Sequence, residues 1–360
     1  MKPGLHRFLF CVSAAAIAVT AGSFLAAPET SAQAPAAAVK PWTPPKTPWG
    51  DADLQGVFTS DDYIGVPTSR QAQFGDRLLL TDAEMAARDS QIKSTAQTDL
   101  QEFSAANARA GTGPPSHWAE RAKRAPRQTS LVVDPPNGQI PATLPEARAR
   151  RQGVGAGNND PRPDSWEDFS FYIRCITRGV AGSILPVIYG NGTQIVQGPG
   201  YVAILQEMVH EARIVPLTGA AHVSDDIRSY MGDSRGHFEG NTLVIETTNF
   251  LPGKTGVGAN GGGVPTSEAL KLTERLTRID ADTIKYELTV DDPKTYVRPF
   301  TLSFPIFQEP GYQIFEYACH EGNYAMTNSL SGARAQEKEE AAASGTAPAA
   351  APRGAGGPRG

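Results

Sequence analysis

The sequence predicts a mainly β protein, an antiparallel up-and-down barrel of the lipocalin-like kind with an irregular, partly helical N-terminal extension. Three observations predict it. After about residue 190, apolar residues alternate with polar ones at period two in run after run. Short polar or Gly-containing turns separate those runs at hairpin spacing. The 360 residues include 36 Gly and 29 Pro, with 40% hydrophobic and 20% charged positions, which excludes a helical bundle and a set of membrane helices. A net charge of −5 lacks the positive excess of a phosphate-binding surface, so nucleic acid is not an expected partner.

The N-terminus reads as a secretory signal over 1–32. Lys2 and Arg7 precede an apolar run from Phe8 to Ala27, and small residues follow at Ser31, Ala32 and Ala34. Cleavage after Ala32 places the mature protein in the periplasm or outside the cell, without a membrane span. A retained anchor helix is the alternative, because the run is near spanning length. Cleavage removes Cys11 and makes the net charge one unit more negative. Cys175 and Cys319 are then expected to form a disulfide in an oxidising compartment, against the alternative of two separate buried thiols.

Residues 33–48 are a Pro/Ala-rich linker. The extension, 49–189, contains a capping box at Thr81 and Glu84 that opens a helix reaching about Ala108. Irregular chain follows, with a short strand at Ser130 to Val133. Arg148, Arg150 and Arg151 read as a solvated charge run rather than an anion site. Asp164 and Ser165 cap a short helix through Trp166 to Ile173, which delivers Cys175.

The barrel is assigned to 190–334, with a sandwich of two sheets as its rival. Its strands are Gln194 to Gln197, Tyr201 to His210, Arg213 to Leu217, the hairpin Arg235 to Glu239 with Thr242 to Thr248, and the hairpin of Leu270 to Leu276 with Ile284 to Val290. Phe300 to Ile306 and Ile314 to Cys319 complete the set. The Gly run at 256–263 reads as a flexible loop. A helix-like stretch spans Asn323 to Lys338 within a tail, 335–360, expected to be disordered from about 341.

No signature of an established catalytic class is present, and no cofactor is implied. The candidates are polar residues on apolar strand faces. Glu274 shares a face with Leu270, Leu272 and Leu276, so a poorly solvated carboxylate there is a candidate general acid or base; pairing with Arg278 or another Arg is the plain alternative. His210 ends an apolar strand and is a candidate proton acceptor. Asp233 and Arg235 are candidate orienters of an anion or of a catalytic His. Tyr317, His320, Glu321 and Asn323 surround Cys319 as candidate ligand-binding residues. His210, His222 and His320 have no chelating spacing, so no metal is assigned. The expected function is binding of a small, partly apolar organic ligand inside the barrel. Cofactor-independent acid-base catalysis by a lyase, hydratase or isomerase is one alternative, and a structural envelope protein is another.

The strings PWGDADLQG (48–56), MGDSRGHFEGNTLVIETTNF (231–250), IDADTIKYELTVDDP (279–293) and EYACHEGNY (316–324) resemble motifs of a group of exported proteins from environmental bacteria. The resemblance spans about 48–334 and carries no activity with it.

Overall fold

The structure is a computed structural model and describes residues 42–99, 120–152 and 162–345. The signal segment, the linker up to Pro41, the end of the first expected helix and the last tail residues lie outside the described residues.

Ten strands form one antiparallel sheet: β1 (Gly56–Thr59), β2 (Val132–Asp134), β3 (Thr193–Gly198), β4 (Tyr201–Gln206), β5 (Ala212–Pro216), β6 (Asp233–Glu239), β7 (Thr242–Thr248), β8 (Lys271–Arg278), β9 (Thr283–Asp291) and β10 (Phe300–Gln308). Nine follow one another in the order β5-β4-β3-β1-β10-β9-β8-β7-β6, and β2 pairs with the far end of β10. Apart from β2, each strand neighbours the next in sequence, so the sheet is an up-and-down, nearly closed barrel.

The seam lies between β5 and β6. A Cβ on Gly236 would stand 2.8 Å from Leu217 Cδ2 and 2.9 Å from Val215 Cγ1, so the bare backbone lets these strands approach. Opposite the seam, β1 joins β3 to β10 through the pairs Gly56 with Ile195 and Phe58 with Gln308. This strand comes from the segment read as extension. It takes the edge of β10, and Ile314 to Cys319, expected to be a strand, has no strand structure.

Alternation builds the interior as anticipated. Leu243, Leu276, Tyr286 and Phe304 lie in register on β7, β8, β9 and β10, and all are buried. Tyr286 and Phe304 stack with ring centroids 5.4 Å apart. Side chains thus fill the middle of the barrel.

Four helices accompany it: α1 (Asp82–Asp99), α2 (Pro145–Gln152), α3 (Gly179–Ile184) and α4 (Tyr324–Ser344). The Thr81–Glu84 capping box forms as read, with Glu84 accepting from the Thr81 backbone N–H at 2.8 Å. The segment after Ser165 makes only a 3-10 turn, Trp166–Asp168, in a capping box between Ser165 and Asp168. α4 runs on as helix to Ser344, past the point where disorder was expected.

Every residue of α3 is buried, and Val180, Ala181 and Ile184 join the barrel core. The Gly run at 256–263 holds it there and is folded rather than loose. Its backbone closes on itself through Gly256 N–H to Gly261 O at 2.8 Å and Gly258 N–H to Gly262 O at 2.9 Å. A Cβ on Gly182 would stand 2.2 Å from Gly261 N, so two glycine-bearing backbones touch directly.

Candidate functional site

Glu274 points into the barrel, as its pattern implied, and is 2% exposed. Arg213 on β5 meets it with two hydrogen bonds, one from Nη1 and one from Nη2 at 2.8 Å, and Tyr286 Oη donates to Oε1 at 3.0 Å. Arg213 also reaches Ser234 Oγ at 3.3 Å and Thr247 Oγ1 at 3.4 Å. Burial, then the Glu274 charge, push the Tyr286 phenol well above its ordinary range, so it stays a donor. The carboxylate is therefore fully engaged by protein groups. The partner Arg is Arg213, not Arg278, which instead binds Asp53 O and Gln308.

His210 does not end a strand. β4 stops at Gln206, and Met208–His210 is a 3-10 turn containing Val209 at φ 64. A positive φ at a β-branched residue is strained backbone.

Asp233 and Arg235 orient a different histidine, His222. His222 Nδ1 lies 2.8 Å from Asp233 Oδ2, and Arg235 Nη1 donates to Oδ1 at 2.7 Å. Burial alone would push the Asp233 carboxyl up, but hydrogen bonds from His222, the Val223 N–H and Arg235 hold it below the usual range. Among the described residues, His222 Nε2 has no hydrogen-bond partner.

Cys175 and Cys319 form the expected disulfide, with Cα atoms 5.7 Å apart. Asn323 supports it from below, donating to Ile173 O at 2.7 Å, while His320 and Glu321 are exposed. No three His, Cys, Asp or Glu side chains gather as metal ligands among the described residues.

The bridge has a consequence for Tyr317. It brings the chain around Cys319 to the chain around Cys175, and Tyr317 joins Tyr172 and Tyr189 in a hydrogen-bonded group. Tyr172 Oη and Tyr189 Oη are 3.3 Å apart. Burial, then the neighbouring phenols, raise Tyr172 far above its ordinary range, so its hydroxyl stays protonated.

Beside them lies Arg178, immediately before α3 and 0% exposed. Its Nη1 reaches Gly190 O at only 3.5 Å, and its plane lies 5.6 Å from the Tyr172 centroid. Among the described residues, its Nε and Nη2 meet no hydrogen-bond acceptor. These two nitrogens share one edge of the guanidinium, so their N–H bonds run side by side, the geometry that grips a carboxylate with two hydrogen bonds. Burying such donors without an acceptor is expensive, and native folds rarely do so without a reason.

A carboxyl pair borders the same turn. Glu120 Oε1 accepts from Gly190 N–H at 3.1 Å and Oε2 from Asn191 Nδ2 at 2.9 Å, while Asp61 Oδ1 accepts from the same Nδ2 at 2.7 Å. Burial, reinforced by Asp61, pushes Glu120 up to about 8, so it carries a proton at neutral pH. Glu207, just before the strained turn, accepts from Gly192 N–H at 3.2 Å and from Tyr312 Oη. The turn of His210 and Val209 thus abuts this group through Glu207.

Of the sequence candidates, Tyr317 stands at this cluster, Asn323 at the disulfide, Asp233 and Arg235 at His222, and Glu274 in the barrel. Sequence patterning missed Arg178, Glu120, Asp61, Tyr172 and Tyr189. One signal pointed to two of them: a Cys175–Cys319 bridge places Tyr172 and Arg178 beside Tyr317. No family model, no curated protein and no solved structure matches this chain.

Proposed function

We propose that this is an exported protein, periplasmic or secreted, that binds a small, partly apolar organic anion, and that it does so at Arg178 rather than in the barrel interior. The observation that carries the reading is the buried guanidinium with two parallel N–H groups and no acceptor. A carboxylate supplies what that edge lacks. The tyrosine hydroxyls offer further donors, and the ring of Tyr172 suits an apolar or aromatic body. The interior of the barrel offers less, because its single carboxylate already holds Arg213 and Tyr286.

The test is a thermal and calorimetric titration with acetate, benzoate and phenylacetate against wild type and Arg178→Met. Saturation at about a hundred times Kd stabilises a folded protein by about 2.7 kcal/mol, enough to read as a melting shift. At least one aromatic carboxylate is expected to stabilise wild type and leave Arg178→Met unmoved. Equal response of both proteins, or of neither, rejects the reading.

A second reading, acid-base catalysis, is favoured by the His222–Asp233 pair, in which the carboxylate fixes the ring by Nδ1 and leaves Nε2 for a proton. An exported lyase or isomerase acting there would lose turnover in His222→Gln without losing its fold.

A further inference from the structure

We propose that the anion at Arg178 is bound together with a proton, which Glu120 carries beside Asp61. The inference rests on the anion-binding reading above and adds what the site does with charge.

The geometry comes first. Asn191 Nδ2 is hydrogen-bonded to both Asp61 Oδ1 and Glu120 Oε2, so the two carboxyl groups sit on one neutral amide. Neither is in an ion pair. Two carboxylates on one uncharged donor repel, which favours the protonated form of the more buried one, Glu120. The charged and titratable groups facing Glu120 explain why no cation relieves them. From the turn after β1 comes Asp61, while its neighbour Asp62 is turned away to Arg124. From the turn after β4 comes Glu207, a further negative charge. From beyond β10 comes Tyr312, protonated and committed to Glu207. Lys123 is held by Glu309, and Arg121 Nη1 donates to the Glu120 backbone carbonyl, at 3.4 Å. Arg178 is the cation that senses Glu120, without contacting it.

An anion placed on the free edge of Arg178 neutralises that cation and adds a negative charge near the pair. Both changes favour the protonated pair. Where solvent pH has already stripped the proton, binding therefore draws one back from water onto the Glu120 carboxylate. Where the pair is already protonated, binding draws none. The affinity is then greatest in mildly acidic and neutral solution and weakens as the pair ionises.

Benzoate is the probe, because its carboxyl is ionised at every pH used. Its heat of binding to the full protein is measured at about pH 6 and about pH 9, each in buffers of different ionisation enthalpy. The uptake expected at the higher pH is more than about half a proton per benzoate, with none at the lower pH, and Glu120→Gln removes the uptake. Benzoate binding at the higher pH without uptake overturns this inference and leaves the anion site standing. Failure of benzoate to bind at either pH overturns both. Carboxyl carbon NMR of the ligand-free protein supplies an independent check, since Asp61→Asn must move the Glu120 titration downward if the Asp61 carboxylate helps to hold it up.

Discussion

Arg213 on β5 clasps Glu274 on β8 across the inside of the barrel, bridging the two sides of the seam where β5 and β6 are not hydrogen-bonded as strands. Ser234 and Thr247, 2.9 Å apart, extend the clasp onto β6 and β7. A buried pair of this kind adds little net stability over a packed apolar pair, yet removing one partner strands the other charge. Glu274→Gln and Arg213→Met are each expected to lower unfolding free energy by about 3–5 kcal/mol in urea denaturation. The double change Arg213→Met with Glu274→Leu should lose much less. Single losses below about 1 kcal/mol would show that the pair does not close the seam.

Arg178 should behave in the opposite way. Arg178→Met removes a buried charge whose Nε and Nη2 have no acceptor among the described residues, so the ligand-free variant is expected to be as stable as wild type or more stable, by about 1–3 kcal/mol. Denaturant midpoints decide. A large destabilisation would mean that the guanidinium serves the fold rather than a ligand.

The Cys175–Cys319 bridge spans a sequence separation of 144 and is expected to contribute roughly 2–5 kcal/mol. Because it joins the strands of chain that carry Tyr172 and Tyr317, the double change to Ala should abolish anion binding even in conditions where the barrel remains folded. Far-UV circular dichroism and a benzoate titration on the same sample separate the two effects. Unchanged binding in a folded double variant contradicts the arrangement.

Glu120 makes stability depend on pH. Its carboxyl is raised to about 8 in the folded protein, against roughly 4.3 when unfolded, so the folded state binds more protons between those values. Stability is therefore expected to fall as pH rises through that window and to level off above about 8, and Glu120→Gln should flatten the decline. Melting temperatures across pH 5–9, measured for both proteins, check the sign. A wild-type curve that rises across the window contradicts it.

The fold was legible in the sequence because a barrel strand announces itself by alternation. Leu272, Glu274 and Leu276 already placed Glu274 on an inner face, and the Asp280 to Asp282 turn set the β8–β9 hairpin. The short strand β1 was not legible, since Gly56–Thr59 is too brief to show a period. The sequence reading counted Ile314 to Cys319 as a strand instead, and that stretch is irregular. The end of β4 was hidden as well: nothing local marks Val209 for a positive φ, and the apolar run simply continues through it. The Arg178 cluster is assembled from Asp61, Glu120, Tyr172, Tyr189, Glu207 and Tyr317, which no spacing rule connects. Only the disulfide brought two of its parts within view.

The most direct measurement is a crystal structure of the protein with 4-bromobenzoate, located by the anomalous signal of bromine. The account predicts the carboxylate on the free edge of Arg178, its two oxygens about 3 Å from Nε and Nη2, with the ring toward Tyr172. Protein acceptors on both of those nitrogens, with the bromine signal absent from this end of the barrel, would contradict it.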